Sequence, residues 1–236
     1  MNNVGYAFLA IGERYTQEFL SISKLFPKED IIVCSDKQIE DYNTLIVKDN
    51  FNFNLKSIPI IECLKKYKTV VSIDTDHRIS PSYQNILKKI PVGVSVKHIR
   101  NEVIYLGEKI TSDNLRNGLT KYEDVNLYGM TLNKLLENHK LKFLDESLII
   151  FNFENNIDKN NFIENYSNLI LKTKNKQPFR HTDKKMGSME GCIIYGALEL
   201  SNIQINDDLR EMMYKYFHHY GPLEGHNTKL KNDFLI

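Results

Sequence analysis

Val70-Val71-Ser72-Ile73-Asp74-Thr75-Asp76-His77-Arg78-Ile79 is an apolar run that ends abruptly in two carboxylates one residue apart. The β-branched residues Val70, Val71 and Ile73 follow the basic Lys65, Lys66 and Lys68. That order reads as a buried strand entered from a solvated helix end. Asp74 and Asp76 then stand at the strand's C-terminal tip. In open α/β sheets that edge is where ligands bind, and Asp-x-Asp there can aim two hard oxygen ligands at one divalent ion. Asp also commonly begins turns, so the tripeptide by itself leaves both readings open.

The sequence before this stretch supplies a compatible order. Residues 4–11 form a continuous apolar run, read as a first buried strand, and Gly12-Glu13-Arg14 breaks it. Tyr15, Phe19, Ile22 and Phe26 recur at i, i+4, i+7 and i+11, one face of an amphipathic helix stopped by Pro27. Residues 31–35 read as a second buried strand ending at Asp36, and 44–47 as a short third. A second helix over 57–67, with Pro59 in its first turn, delivers the chain to Val70.

After the carboxylates, 81–89 reads as a helix with Pro81 at its start and 92–98 as an alternating strand. Residues 100–142 are polar with weak periodicity, and are read as an irregular insertion. A strand with Leu148-Ile149-Ile150-Phe151 follows Asp145-Glu146, then a helical pattern over 157–171. Residues 172–185 are basic without an apolar face and read as a loop. Residues 188–200 read as a helix carrying Glu190 near its start, 203–205 as a short strand and 209–217 as a further helix. The tail from 218 holds His218, His219 and His226 beside Gly221 and Gly225.

A chain of 236 residues with 42% hydrophobic content can bury a sizeable core, read here as one domain over 1–236. Its formal net charge of +1 gives no whole-chain footprint for a polyanion. Cys34, Cys63 and Cys192 are scattered without a C-x-x-C, which points to free thiols in a reducing, cytoplasmic setting. No stretch approaches 18 apolar residues, so no membrane span is expected.

Taken together, the chain resembles the GT-A class of nucleotide-sugar-dependent glycosyltransferases. Phe8-Leu9-Ala10-Ile11-Gly12-Glu13-Arg14-Tyr15, followed by Ile31-Ile32-Val33-Cys34-Ser35-Asp36, looks like the opening of the retaining blood-group-type galactosyl- and N-acetylgalactosaminyltransferases. The later order is Ser72-Ile73-Asp74-Thr75-Asp76, then Asp145-Glu146-Ser147-Leu148-Ile149-Ile150, then Gly187-Ser188-Met189-Glu190-Gly191, then His218-x-x-Gly221. It is similar to the wider retaining set that includes the glycogenin type.

The resemblance implies an α/β GT-A (Rossmann-like) fold: a central mixed, mostly parallel sheet flanked by helices. It implies Mn²⁺ or Mg²⁺ on Asp74 and Asp76, with His218 of the His218-x-x-Gly221 match as an additional ligand; His226 is the other candidate by its own chemistry, a neutral imidazole beside Asn227 and Lys229. A nucleotide-sugar donor, UDP-linked, would lie against Ala10, Ile11, Tyr15, Asp36 and Lys56, and the composition of the tail adds Lys229 as a candidate for the diphosphate. Glu190 is implied at the sugar's reacting carbon, Glu146 is a second candidate that either faces the sugar or is solvated at a strand start, and the glycines, imidazoles and lysines of 218–236 read as a lid over the donor.

The chemistry asks for these residue types on independent grounds. Cleaving a sugar–phosphate bond builds negative charge on the departing diphosphate, which a divalent ion offsets as a Lewis acid. A carboxylate facing the anomeric carbon stabilises or attacks an oxocarbenium-like centre. Each residue also has a plainer role. Glu190 is equally a helix-start acid favoured by the macrodipole, Tyr15 a core-face residue, Lys56 a surface lysine, and the tail a frayed terminus.

Two other classes compete. A sugar nucleotidyltransferase asks for a Gly-rich phosphate loop after the first strand, where only Gly12-Glu13-Arg14 stands. A non-catalytic nucleotide- or glycan-binding module does not need Asp74, Asp76 and Glu190 together. For the acceptor a carbohydrate is put ahead of a hydroxymethylated DNA base. The latter would use the basic run Lys172, Lys174, Lys176, Arg180, Lys184 and Lys185, as in a phage-type DNA glycosyltransferase.

Overall fold

The computed structural model describes residues 4–48, 53–100, 102–105, 108–111, 126–127, 130–131, 143–173 and 190–219. In chain order it runs β1 (Val4–Ala10), α1 (Glu13–Ile22), β2 (Ile31–Ser35), β3 (Asn43–Ile46), α2 (Ser57–Lys66), β4 (Thr69–Ile73), β5 (His77–Ile79), α3 (Gln84–Leu87) and β6 (Gly93–Val96). Short strands β7 (Ile99–Arg100), β8 (Glu102–Tyr105), β9 (Glu108–Thr111), β10 (Asn126–Leu127), β11 (Met130–Thr131) and β12 (Phe143–Leu144) follow. The chain continues through β13 (Leu148–Asn152), α4 (Asn156–Thr173), α5 (Glu190–Leu200), β14 (Ile205–Asn206), α6 (Arg210–Tyr216) and β15 (Phe217–His219).

These elements fall into two compact units. The first takes Met1–Lys97, Ser147–Glu154 and Ile205–Ile236, and the second His98–Glu146 and Asn155–Gln204. In the first, seven strands form one sheet in the order β14-β6-β13-β4-β1-β2-β3. All neighbours are parallel except at β13, which runs antiparallel to both β4 and β6. The architecture is therefore α/β with a mixed, mostly parallel sheet, of Rossmann-like character.

Burial on both faces explains why the strands read as continuous apolar runs. Tyr6, Phe8 and Ala10 of β1, Ile31 and Val33 of β2, and Val71 and Ile73 of β4 share one face by their alternation. They join Phe19 and Ile22 of α1, Met213 of α6 and Phe217 in one buried cluster. Helix α2 packs on β1, β2 and β4 through residues outside that cluster, such as Ile60 and Leu64, and so covers the opposite face.

Several boundaries differ from the sequence expectations. Helix α1 begins at Glu13, because Gly12 takes φ 83° and turns the chain straight out of β1. Residues 81–89 hold a 3₁₀ turn, Pro81–Tyr83, and a single α-turn rather than one helix. All four residues of β6 are buried, since β6 lies between β13 and β14 with both faces covered. The strand read after Asp145-Glu146 is β13, and a short strand, β12, precedes those two residues.

In the second unit, α4 packs on α5 and α5 packs on β12, which pairs with β7. Phe162 and Tyr166 of α4 and Ile194 and Leu198 of α5 are buried there. Among the described residues, no helix is long and apolar enough to cross a membrane.

Candidate functional site

Three parallel strands of the first unit, β1, β2 and β4, end at one edge. Ala10 lies opposite Ser35, so Asp36 and the β1–α1 loop leave the sheet side by side. The Gly12 amide donates to Asp36 Oδ1 at 3.0 Å. That bond is the main reason the exposed Asp36 carboxyl is held below the usual Asp range, with Ser35 and Lys37 adding to it. Asp36 thereby ties the two strand ends together.

Asp74 follows β4 directly. Its amide donates to the Ser147 carbonyl at 2.9 Å, so the antiparallel strand β13 anchors the start of the Asp-x-Asp turn. Its carboxylate is ion-paired with Lys56, the residue before α2. Lys56 is only 6% exposed, so the surface-lysine reading gives way to a buried ammonium on Asp74. Thr75, between the two aspartates, is buried, and its hydroxyl lies 3.5 Å from Glu18 Oε2. Glu18 in turn accepts from Arg14 Nε at 3.2 Å.

The far side of the turn is held by His77, whose side chain is fully buried. Its Nδ1 lies 3.0 Å from the Asp74 carbonyl and its Nε2 3.0 Å from Lys97 Nζ. A carbonyl only accepts and an ammonium only donates, so Nδ1 carries the ring proton and Nε2 accepts from Lys97. Lys97 itself is 2% exposed. The buried Lys97 and His77 therefore sit directly behind the two carboxylates.

Tyr15 is half-buried and stands outside the core cluster beneath it, contrary to the core-face reading. Burial raises its phenol pKa, Arg14 opposes this, and Asp76, Glu18 and Asp74 raise it further. Its hydroxyl thus lies in the field of the Asp-x-Asp carboxylates. Arg14 Cζ is 5.7 Å from the Tyr15 ring centre. The Ala10 side chain is fully buried in the core, so only its backbone faces the sheet edge, and Ile11 follows it half-buried.

The C-terminal strand β15 pairs antiparallel with β5, with His218 opposite Arg78 and His219 opposite His77. The start of the tail is thus held beside the turn rather than frayed. His218 Nε2 lies 3.2 Å from the Lys215 carbonyl. His226 and Lys229, and the lid from 220 onward, lie outside the described residues.

Comparison with protein-family models finds no match, and comparison with the curated proteins finds none either.

Glu146 and Glu190 belong to the second unit. Glu190 opens α5, and the next residue, Gly191, lies against β12. A Cβ on Gly191 would run into the Leu144 carbonyl and come within 3.1 Å of Glu146 Oε2. Glycine is therefore what lets the N-terminus of α5 approach, and it brings the Glu146 carboxylate to the helix start.

Residues that sequence reasoning did not single out are Glu18, Thr75, His77 and Lys97. The Arg14-x-x-x-Glu18 spacing is the sequence signal for a helical ion pair. His77 and Lys97 carry no local signal, since their meeting depends on β5 and the end of β6 converging.

The donor set fits a hard divalent cation in kind: Asp74 and Asp76 offer carboxylate oxygens from one tight turn. In number it is incomplete. Among the described residues no three His, Cys, Asp or Glu side chains converge as a metal cluster. The remaining positions would fall to diphosphate oxygens and water, the arrangement usual for Mg²⁺-type sites.

Proposed function

We propose that this protein is a metal-dependent glycosyltransferase of the GT-A type, moving a sugar from a UDP-linked donor to a hydroxyl, in the first place of a carbohydrate acceptor, with retention. The observation that carries this reading is the pair Asp74 and Asp76 at the carboxyl end of a central parallel strand. A buried lysine lies on one carboxylate and a buried histidine behind the turn.

The residues have separable roles. Asp74 and Asp76 would hold Mn²⁺ or Mg²⁺, which when bound supplies Lewis-acid stabilisation of the departing diphosphate. Lys56, at the start of α2, would add a cation beside the diphosphate. Tyr15 offers a half-exposed ring for the uracil, with Asp36 and the backbone of Ala10 and Ile11 at the same edge. His218 is placed on the strand next to the turn. Glu190 and Glu146 are the carboxylates proposed for the reacting carbon, where a negative charge stabilises developing positive charge.

The Arg14–Glu18 pair also favours this reading over a sugar nucleotidyltransferase. Among the described residues, the cation in the first turn of α1, Arg14, already faces a carboxylate and a tyrosine ring. The test is calorimetric titration with UDP in Mn²⁺ and again in EDTA. The expected result is a loss of about tenfold or more in affinity on chelation, equivalent to ~1.4 kcal/mol. Equal affinities would overturn the reading.

A further inference from the structure

At its N-terminal end β1 lacks a strand neighbour on one side. Val4 and Gly5 pair with Thr69 and Val70 of β4, but β2 begins only opposite Tyr6. Beside Val4 the chain instead makes the 3₁₀ turn Lys28–Asp30 after Pro27. A cavity of about 220 Å³ remains between this turn and α3, with Val4, Pro27 and Leu87 as apolar walls and Tyr6 and Tyr83 also lining it. An apolar cavity of ~150 Å³ accepts benzene, so this one has room for a ring or a branched side chain.

The polar groups of the cavity are unbalanced in a definite way. The single Tyr83 hydroxyl proton goes to the Leu25 carbonyl at 3.2 Å, so the Tyr6 hydroxyl, 3.4 Å from that of Tyr83, donates to it. Among the described residues nothing donates to the Tyr6 oxygen in return. Burial first, then the bond to Tyr83, pushes the Tyr6 phenol well above its ordinary range, and the nearby Asp30 carboxylate adds to this. Asp30 is half-buried and lines the cavity, as does the exposed Lys88 that follows α3, and neither forms an ion pair among the described residues.

We infer that this cavity binds a small zwitterion, a free amino acid with an apolar side chain. Its ammonium gives Asp30 a counter-charge and the Tyr6 oxygen a donor. Its carboxylate meets Lys88, and its side chain fills the space against Val4, Pro27 and Leu87. A neutral ligand would leave both charges as they are, and a simple amine would serve only one of them. A few polar groups that orient a ligand over an apolar lining are the usual make-up of a small-molecule site. The site does not depend on the glycosyltransferase reading, since Val4 and Ala10 are opposite ends of β1, roughly 20 Å apart by the rise of a strand.

The test is calorimetric titration of the full chain with leucine and phenylalanine, then with isocaproate, which lacks the ammonium, and isoamylamine, which lacks the carboxylate. Isocaproate is expected to bind about tenfold or more weaker than leucine, and isoamylamine to lose less, because Lys88 is exposed. Asp30→Asn should weaken leucine by about tenfold or more and leave isocaproate unchanged, while Lys88→Ala should weaken leucine by about threefold and leave isoamylamine unchanged. Saturating UDP with Mn²⁺ should not displace leucine. The inference is overturned by no saturable binding of either amino acid, by isocaproate binding as tightly as leucine, or by leucine affinity unchanged in Asp30→Asn. Displacement of leucine by UDP would also overturn it, by placing the amino acid at the Asp-x-Asp edge. Should Asp30→Asn not fold, the ligand series on the wild-type chain decides.

Discussion

The two ends of the same parallel strands are built from opposite chemistry. At the N-terminal end of β1, Tyr6 packs on Phe26 with ring centres 4.3 Å apart, and Phe26 packs edge-on against Tyr83 at 5.1 Å. The Tyr83 hydroxyl donates to the Leu25 carbonyl at 3.2 Å, and a cavity of about 220 Å³ opens beside these rings. At the C-terminal end stand Asp36, Lys56, Asp74, Thr75 and Asp76. One end is held by packed aromatic area. The other holds charged groups against one another, an arrangement that buries little apolar surface and leaves partners that a ligand can replace.

If that division is right, substitutions at the two ends should separate stability from ligand binding. The largest effect is expected at the aromatic end. Phe26→Ala removes a 5%-exposed ring from the contacts with Tyr6, Phe8 and Tyr83 and should cost about 3–5 kcal/mol in urea unfolding. UDP affinity in Mn²⁺, measured well below the melting temperature, should not move. Any large loss of affinity would mean that the ends are coupled.

Asp76→Asn tests the opposite end. Turnover should fall by roughly 10²–10³-fold, as for loss of one strong transition-state contact, and UDP binding in Mn²⁺ should weaken sharply. The melting temperature without ligand should stay close to wild type. A variant that is instead strongly destabilised would assign Asp76 to the fold.

A smaller effect belongs to Tyr15. If its ring carries the base, Tyr15→Ala should weaken UDP by about 1–3 kcal/mol while Tyr15→Phe keeps most of the affinity. Equal losses in the two variants would assign the role to the hydroxyl in the field of Asp76 and Asp74.

The smallest effect concerns Asp36. Its carboxyl is held below the ordinary value chiefly by the Gly12 amide, so its contribution to stability is present at neutral pH. That contribution is lost as pH falls below the ordinary Asp value of about 3.9 and through the lowered folded value. Asp36→Asn should therefore lower the melting temperature slightly at pH 7, with the gap to wild type closing in acid. A gap that persists unchanged at low pH would rule out the charged cap.

Much of the sheet was legible from local pattern. A parallel strand covered on both faces must be apolar along its length, so Val4–Ala10, Ile31–Ser35 and Thr69–Ile73 announced themselves, and the first polar residues after them marked the edge. Asp74, Asp76 and Asp36 were found for that reason. What failed were boundaries where a short-range rule met a long-range one. Pro81 starts a turn but nothing local says that the helix after it stops at Leu87, and the alternation over 92–98 hid a strand buried on both sides.

By itself, then, the order of residues determined the strands, the Asp-x-Asp tip and the helix after Gly12, because hydrophobic periodicity and backbone preference act over a few residues. Tertiary structure alone decided that Lys56 is buried on Asp74, that Lys97 meets His77, that His218 lies beside β5, and that Gly191 brings the start of α5 to Glu146. In each case the partners are separated by many residues and joined only by strand pairing or packing. Sequence spacing cannot encode whether a lysine ends in water or on a carboxylate; the burial of its surroundings does.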